Sequence, residues 1–251
     1  KVDEGKKYLH AGILAQGPSL DQKMNILIML VNEKQQAAID PQLEPLVQYM
    51  SDTYPNEAKA HSIAGDYYYV AGQTKKAIDC YRQTLRCDPN LYPVWNQVLI
   101  LEFEQERWTD LEQDASTCAE LFPSYPIPFF FKGFALSRKG AYSTALENFS
   151  LAKGVLVNDN ALLAEIFMQE GSAYLGLNKQ DQAFAAFKEA LTISSNGLEL
   201  NYLHNLLKYK IELAKTTERL QELAAKDPSN PNITFEYAFA QFQAGAYQKA
   251  L

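Results

Sequence analysis

The chain has 251 residues, 47% of them hydrophobic and 21% charged, a balance that excludes wholesale disorder. A formal net charge of −7, with no Lys and Arg stripe beside the 15 Tyr and 13 Phe, argues against nucleic acid, whose phosphates need clustered cations. The longest apolar runs, residues 26–31 and 129–131, fall far short of the ~20 residues a membrane helix requires, which argues against direct membrane insertion.

Residues 1–18 read as one helix stopped by Gly17-Pro18. The chain opens on Lys1 rather than Met, as a piece of a longer protein would. Residues 19–57 keep an apolar spacing at Leu27, Leu30 and Val47 and end on Pro55. From there proline marks a period, because Pro55, Pro89 and Pro123 are separated by 34 and 34 residues. Gly65 and Gly133 are 68 apart, and so are Ala77 and Ala145. A shared period of this size marks a repeat architecture.

Residues 58–91 carry Ala64-Gly65, Tyr68, Ala77, Tyr81 and Pro89 at that period; residues 92–125 carry Trp95, Val98, Ala115 and Pro123. The second of these units has Leu99 and Leu111 where its neighbours have a small residue, so its two helices should be splayed or shifted. Residues 126–163 carry Phe129, Gly133, Leu136, Ala145, Phe149 and Ala152, then slip register by four residues, which predicts a longer turn around Asn158-Asp159-Asn160. Residues 164–196 return to the pattern with Phe167, Gly171, Tyr174, Ala183, Phe187 and Ala190. Residues 197–230 are degenerate, with His204 in the glycine place, and 231–251 start a further unit with Tyr237-Ala238 and Ala250. Gly72, Gly140 and Gly245 are placed to close first helices with a left-handed cap, and Asp-Pro or Phe-Pro to end second ones.

This W-x₂-L-G-x₂-Y, A-x₃-F, P pattern resembles the tetratricopeptide repeat family. The resemblance implies an all-α, right-handed superhelical α-solenoid of antiparallel helix pairs, A and B, with residues 1–18 the remnant of a preceding repeat. It implies that Gly133 faces Ala145 across one pair, while Phe129, Leu136 and Phe149 fill the space toward the next repeat. It also implies that the A helices line a concave groove, with three places per helix, spaced four and then three apart, pointing into it. These places are Ser62, Asp66, Tyr69; Asn96, Ile100, Phe103; Phe130, Phe134, Ser137; Met168, Ser172, Leu175; Asn201, Asn205, Lys208; and Phe235, Phe239, Phe242.

From these we take Asp66, Tyr69, Asn96, Ile100, Phe103, Phe130, Phe134, Met168, Asn201 and Asn205 as candidate partner-binding residues. Contiguous apolar side chains mark interaction surfaces, and asparagine offers both a donor and an acceptor to an extended backbone. Phe103, Phe130 and Phe134 also fit a second reading, as core between repeats. Chaperone-binding members of the family clamp a C-terminal carboxylate with Lys, Arg and Asn; Ser62 and Asp66 stand where that clamp would need Lys and Asn, so no carboxylate clamp is expected.

Catalytic constellations are missing from the sequence. His10, His61 and His204 are isolated, there is no H-E-x-x-H, zinc-spaced Cys pair or phosphate-cradling glycine loop, and no G-x-S-x-G. Cys80 and Cys87 lie about 10 Å apart along one helix, beyond the roughly 7 Å limit of a disulfide. They and Cys118 read as small buried thiols. Glu102 and Glu104 read as a solvated helix face, and His61 as a buried, hydrogen-bonded core residue. The expectation is a protein-interaction scaffold that binds a peptide or protein segment in a largely apolar groove, with no catalysis, metal or cofactor. Exposed apolar surface at the last, truncated unit offers a route to self-association. The alternative is an interaction or sensor module of a longer enzyme or signalling protein whose active domain lies outside the segment.

Overall fold

The computed structural model describes residue 8 and residues 11–32, 43–194 and 198–245, with the side chains of 30–32 excepted. Ala250, the side chain of Leu30 and most of the expected first helix lie outside the described residues, although residues 11–14 are helical. The described residues are all-helical, and they fall into two compact units, 1–123 and 124–251.

The first unit holds α1 (Leu20–Asn32), α2 (Glu44–Thr53), α3 (Ala58–Val70), α4 (Thr74–Cys87), α5 (Tyr92–Glu104) and α6 (Trp108–Leu121). The second holds α7 (Pro126–Arg138), α8 (Tyr142–Val155), α9 (Asn160–Gly176), α10 (Gln180–Ile193), α11 (Leu198–Lys208), α12 (Leu213–Lys226) and α13 (Pro231–Gln243). Within each unit, consecutive helices joined by short turns pack as antiparallel pairs: α3 with α4 and α5 with α6, then α7 with α8, α9 with α10 and α11 with α12.

Prolines set both ends of the helices. Pro45, Pro93, Pro126 and Pro231 occupy the first two positions of α2, α5, α7 and α13, where the missing N–H costs nothing. Tyr54, Asp88, Phe122 and Asp227 each precede a proline, and their φ values of −125°, −142°, −128° and −135° take them out of the helical region. The four residues by which the sequence slips register do not lengthen the turn. Residues 156–159 join α8 to α9 just as residues 88–91 join α4 to α5, and the extra length lies in α9, with 17 residues against 13 in α3, α5 and α7. Asp159 caps that earlier start by accepting a hydrogen bond from Leu162 N at 2.9 Å, and Ala161 to Ala164 are good helix formers.

The first helix of each pair ends in a left-handed turn. Gly72, Gly140 and Gly245 have φ of 68°, 82° and 79°; after the first two, the next N–H returns to the carbonyl five residues back, Gln73 N to Tyr68 O at 2.8 Å and Ala141 N to Leu136 O at 2.9 Å. Glu106, Asn178 and Lys210 stand at the same point with φ of 53°, 58° and 55°. Side chains other than glycine and asparagine are strained there. Glu106→Gly and Lys210→Gly should each therefore raise the unfolding free energy by about 1 kcal/mol in urea titrations; a loss of stability in both would show that the turn carries no strain.

The core of each pair is built around the small residues. A Cβ at Gly65 would stand 2.5 Å from the Tyr81 ring, one at Gly133 would stand 2.7 Å from Phe149 Cε1 and 3.1 Å from the Ala145 carbonyl oxygen, and one at Gly171 would overlap the Phe187 ring. The glycine thus faces the aromatic residue four positions after the alanine. Phe149 lies inside its own pair rather than between repeats, because a flat ring fills the space the glycine leaves open. Pairs with this arrangement bring their backbones close along much of their length. The α5–α6 pair, with Leu99 and Leu111 both fully buried in the small places, approaches far less, and so does α11–α12 with His204.

Candidate functional site

In the first unit, α1 and α3 form the walls of a cleft of about 350 Å³. Asp21, Met24, Asn25 and Ile28 come from α1; Lys59, Ser62, Ile63 and Asp66 come from α3. Met24 and Ile63 are buried and form an apolar floor, while Ile28 stays partly exposed. Lys59 Nζ bridges to Asp21 Oδ1 at 3.2 Å across the mouth, with both side chains largely in solvent. Such a pair contributes at most about 1 kcal/mol.

Asp66 is held differently. The Tyr81 hydroxyl donates to Asp66 Oδ1 at 2.7 Å, and the Tyr81 ring is the one packed on Gly65. The glycine therefore positions the phenol, and the phenol positions the carboxylate. Partial burial raises the Asp66 pKa above its ordinary value, while the Tyr81 hydrogen bond pulls it back. Phe149 and Phe187, at the equivalent place in the second unit, have no hydroxyl, so this link is special to the α3–α4 pair. Tyr81→Phe keeps the ring but removes the bond. It should cost about 1 kcal/mol of stability and raise the Asp66 pKa further, read by carboxyl ¹³C titration; an unchanged Asp66 titration would refute the link.

The sequence-predicted site residues divide between open and closed positions. In the first unit Asp66 and Tyr69 are exposed, and Asn96, Ile100 and Phe103 are half-buried. The Phe103 ring meets the Trp108 ring edge-on at 6.2 Å. In the second unit Phe134 is half-buried beside Phe130 at 6.3 Å, Asn201 is exposed, and Asn205 is half-buried. Asn205 Nδ2 donates to the Asn201 carbonyl at 2.8 Å, so part of its donor capacity is used within α11.

Two candidates are closed to a partner. Met168 is 0% exposed among Ala164, Leu175, Phe187 and Leu198, and Phe130 is buried among the rings of Phe131, Phe134 and Phe149. A large apolar side chain at the first groove place turns into the core wherever the neighbouring helices leave room for it. At the same place in α13 Phe235 is 66% exposed; it stacks on Phe239 with ring centroids 6.4 Å apart, and Phe242 is also exposed.

Sequence reasoning missed the α1 side of the cleft. Asp21, Asn25 and Ile28 are spaced four and then three apart, the same spacing as Ser62, Asp66 and Tyr69. That signal was present, but α1 lacks the glycine and alanine that mark an A helix. His61, expected in the core, is half-buried, and its Nε2 meets the Pro55 carbonyl at 2.9 Å. Trp95 Nε1 donates to the Pro89 carbonyl at 2.9 Å one period later, so His61 substitutes for a tryptophan rather than waiting for a ligand. Of the thiols, Cys118 is buried and Cys80 half-buried, but Cys87 is exposed because it sits in the last turn of α4.

Glu102 overturns the expectation of a solvated face. It is fully buried in α5, its Oε1 accepts from Arg82 Nη2 at 2.5 Å, and its Oε2 has no hydrogen-bond partner. Arg82 also donates to Asp114 Oδ2 from Nε at 3.0 Å, and Arg107 Nε donates to Asp110 Oδ2 at 2.8 Å. Arg82 thus shares its charge between Glu102 and Asp114 while Arg107 serves Asp110, so three carboxylates meet two guanidinium groups. Burial, together with the nearby Asp114 charge, outweighs the pull of Arg82 and pushes the Glu102 pKa up to about 9. No local signal shows this, because the partners come from α4 and α6. Among the described residues no cluster of His, Cys, Asp or Glu is arranged to hold a metal ion, and no helix is long and apolar enough to cross a membrane.

Tetratricopeptide repeat models match residues 58–91 and 164–196. No curated protein matches the chain by sequence. Among solved structures, the chain is similar to YrrB, a TPR protein with an unusual peptide-binding site, at 20% identity and a TM-score of 0.58, over 71% of this chain and 89% of that one. It is similar to MamA from Desulfovibrio magneticus RS-1 (residues 41 to the end) at 11% identity and a TM-score of 0.57, over 73% and 99% of the two chains. It also resembles the APC/C hetero-tetramer Cut9–Hcn1 at 15% identity and a TM-score of 0.58, over 90% of this chain and 47% of that one. These likenesses establish the α-solenoid fold.

Proposed function

We propose that this chain, a tetratricopeptide repeat protein, is a scaffold that binds an extended protein segment along its A-helix faces and carries out no chemistry itself. Repeat arrays of this type offer elongated surfaces for partners. The observation that carries the reading is the exposure of large apolar side chains on A helices. Ile28, Met29 and Tyr69 are open on α1 and α3, and Phe235 and Phe242 are open on α13. Burying such groups against a partner yields roughly 25 cal/mol per Å².

In the first unit the binding face comprises Asp66, Tyr69, Asn96, Ile100 and Phe103, joined by Ile28 and Asn25 from the cleft. The second unit has a face of its own, comprising Phe134, Asn201, Asn205, Phe235 and Phe242. Buried Met168 and Phe130 serve it only as support.

Panning a library of random twelve-residue peptides on the protein tests the reading. Binders should be recovered, and Tyr69→Ala or Phe242→Ala should weaken a subset of them about tenfold, the loss of one aromatic anchor, with helicity unchanged by circular dichroism. Recovery of no binder, or of binders indifferent to every one of these A-helix positions, would overturn it.

A further inference from the structure

Resting on the scaffold reading, we infer that the cleft between α1 and α3 takes up a lysine or arginine side chain of the bound segment. The lining has the two parts such a side chain needs. Met24, Ile28 and Ile63 offer an apolar wall for a methylene stem. Asp66 adds a carboxylate to the same lining, fixed in direction by the Tyr81 hydroxyl at 2.7 Å.

Charge selects the cation over the alternatives. Lys59 is already engaged with Asp21 at 3.2 Å. Among the described residues, Asp66 accepts a hydrogen bond from a neutral phenol and forms no ion pair. An acidic side chain or a C-terminal carboxylate would meet two aspartates against a single lysine, a net negative lining. An aliphatic side chain would fill the floor but give the Asp66 carboxylate nothing to pair with. Arginine or lysine satisfies wall and carboxylate together. The net charge of −7 also favours encounter with basic segments.

Four capped octapeptides, identical except for a central arginine, lysine, norleucine or glutamate, are titrated into the ¹⁵N-labelled full chain. The arginine and lysine peptides should shift the amides of α1 and α3 and bind about tenfold tighter than the norleucine peptide, as one charge-assisted hydrogen bond allows. The glutamate peptide should bind most weakly. Asp66→Asn, which keeps an acceptor for Tyr81, should reduce the preference for the cationic peptides over norleucine to near unity. The inference is overturned if norleucine binds as well as arginine, if Asp66→Asn leaves the preference intact, if the shifts fall outside α1 and α3, or if none of the four binds. Library-selected peptides that bind through Tyr69 and carry no basic residue would likewise sink this inference while leaving the scaffold function standing; the failure of the whole library would sink the function.

Discussion

Gly133→Leu should lower the unfolding free energy by 1–3 kcal/mol or more, the cost of overpacking a filled site. A single Cβ there already reaches 2.7 Å from the Phe149 ring and 3.1 Å from the Ala145 carbonyl oxygen. A ring can turn aside, but the carbonyl belongs to helix backbone and cannot, so the α7–α8 pair must open. Gly154→Ala is the contrasting case. Its Cβ would meet nothing within 4 Å, so the ordinary helix preference for alanine should raise stability by about 1 kcal/mol. The double variant Gly133→Leu/Phe149→Ala should lose less than the two single changes added together, because the truncated ring leaves room for the leucine. Urea unfolding of the four proteins decides the matter, and additive losses would show that glycine and ring are not in contact.

The same contact explains which parts of the fold were legible in the sequence. Gly65, Gly133 and Gly171 are close-approach positions whose neighbours are fixed within one pair, so a period of small residues is enough to find them. What the period does not give is the identity of the facing atom, and the ring four residues after the alanine takes that place. The α5–α6 and α11–α12 pairs could be foreseen as looser from Leu99, Leu111 and His204 alone. The site was less legible. Spacing finds a helix face, but whether that face meets solvent depends on helices far along the chain. Met168 and Asn201 hold the same register position, and only Asn201 is open. Asp66 was found by register, yet its orientation depends on Tyr81 15 residues later, which the sequence offered only as a place in the repeat pattern.

Glu102→Gln should remove a pH dependence that the parent shows. The folded chain holds a proton on Glu102 up to about pH 9, while in the unfolded chain it is released near the ordinary 4.5. Between those values the unfolded state binds fewer protons, so stability falls as pH rises, by up to about 1.4 kcal/mol per pH unit from this group. The contribution is complete below the unfolded pKa and is lost as pH passes through the folded one. Glutamine has the size of the neutral acid, keeps an oxygen for Arg82, and does not titrate. The stability difference between variant and parent should therefore shift in favour of the variant, by on the order of 2 kcal/mol, from pH 5 to pH 8, measured by urea unfolding at fixed ionic strength. Parallel profiles would mean that Glu102 is ionised and that Arg82 is its counter-ion.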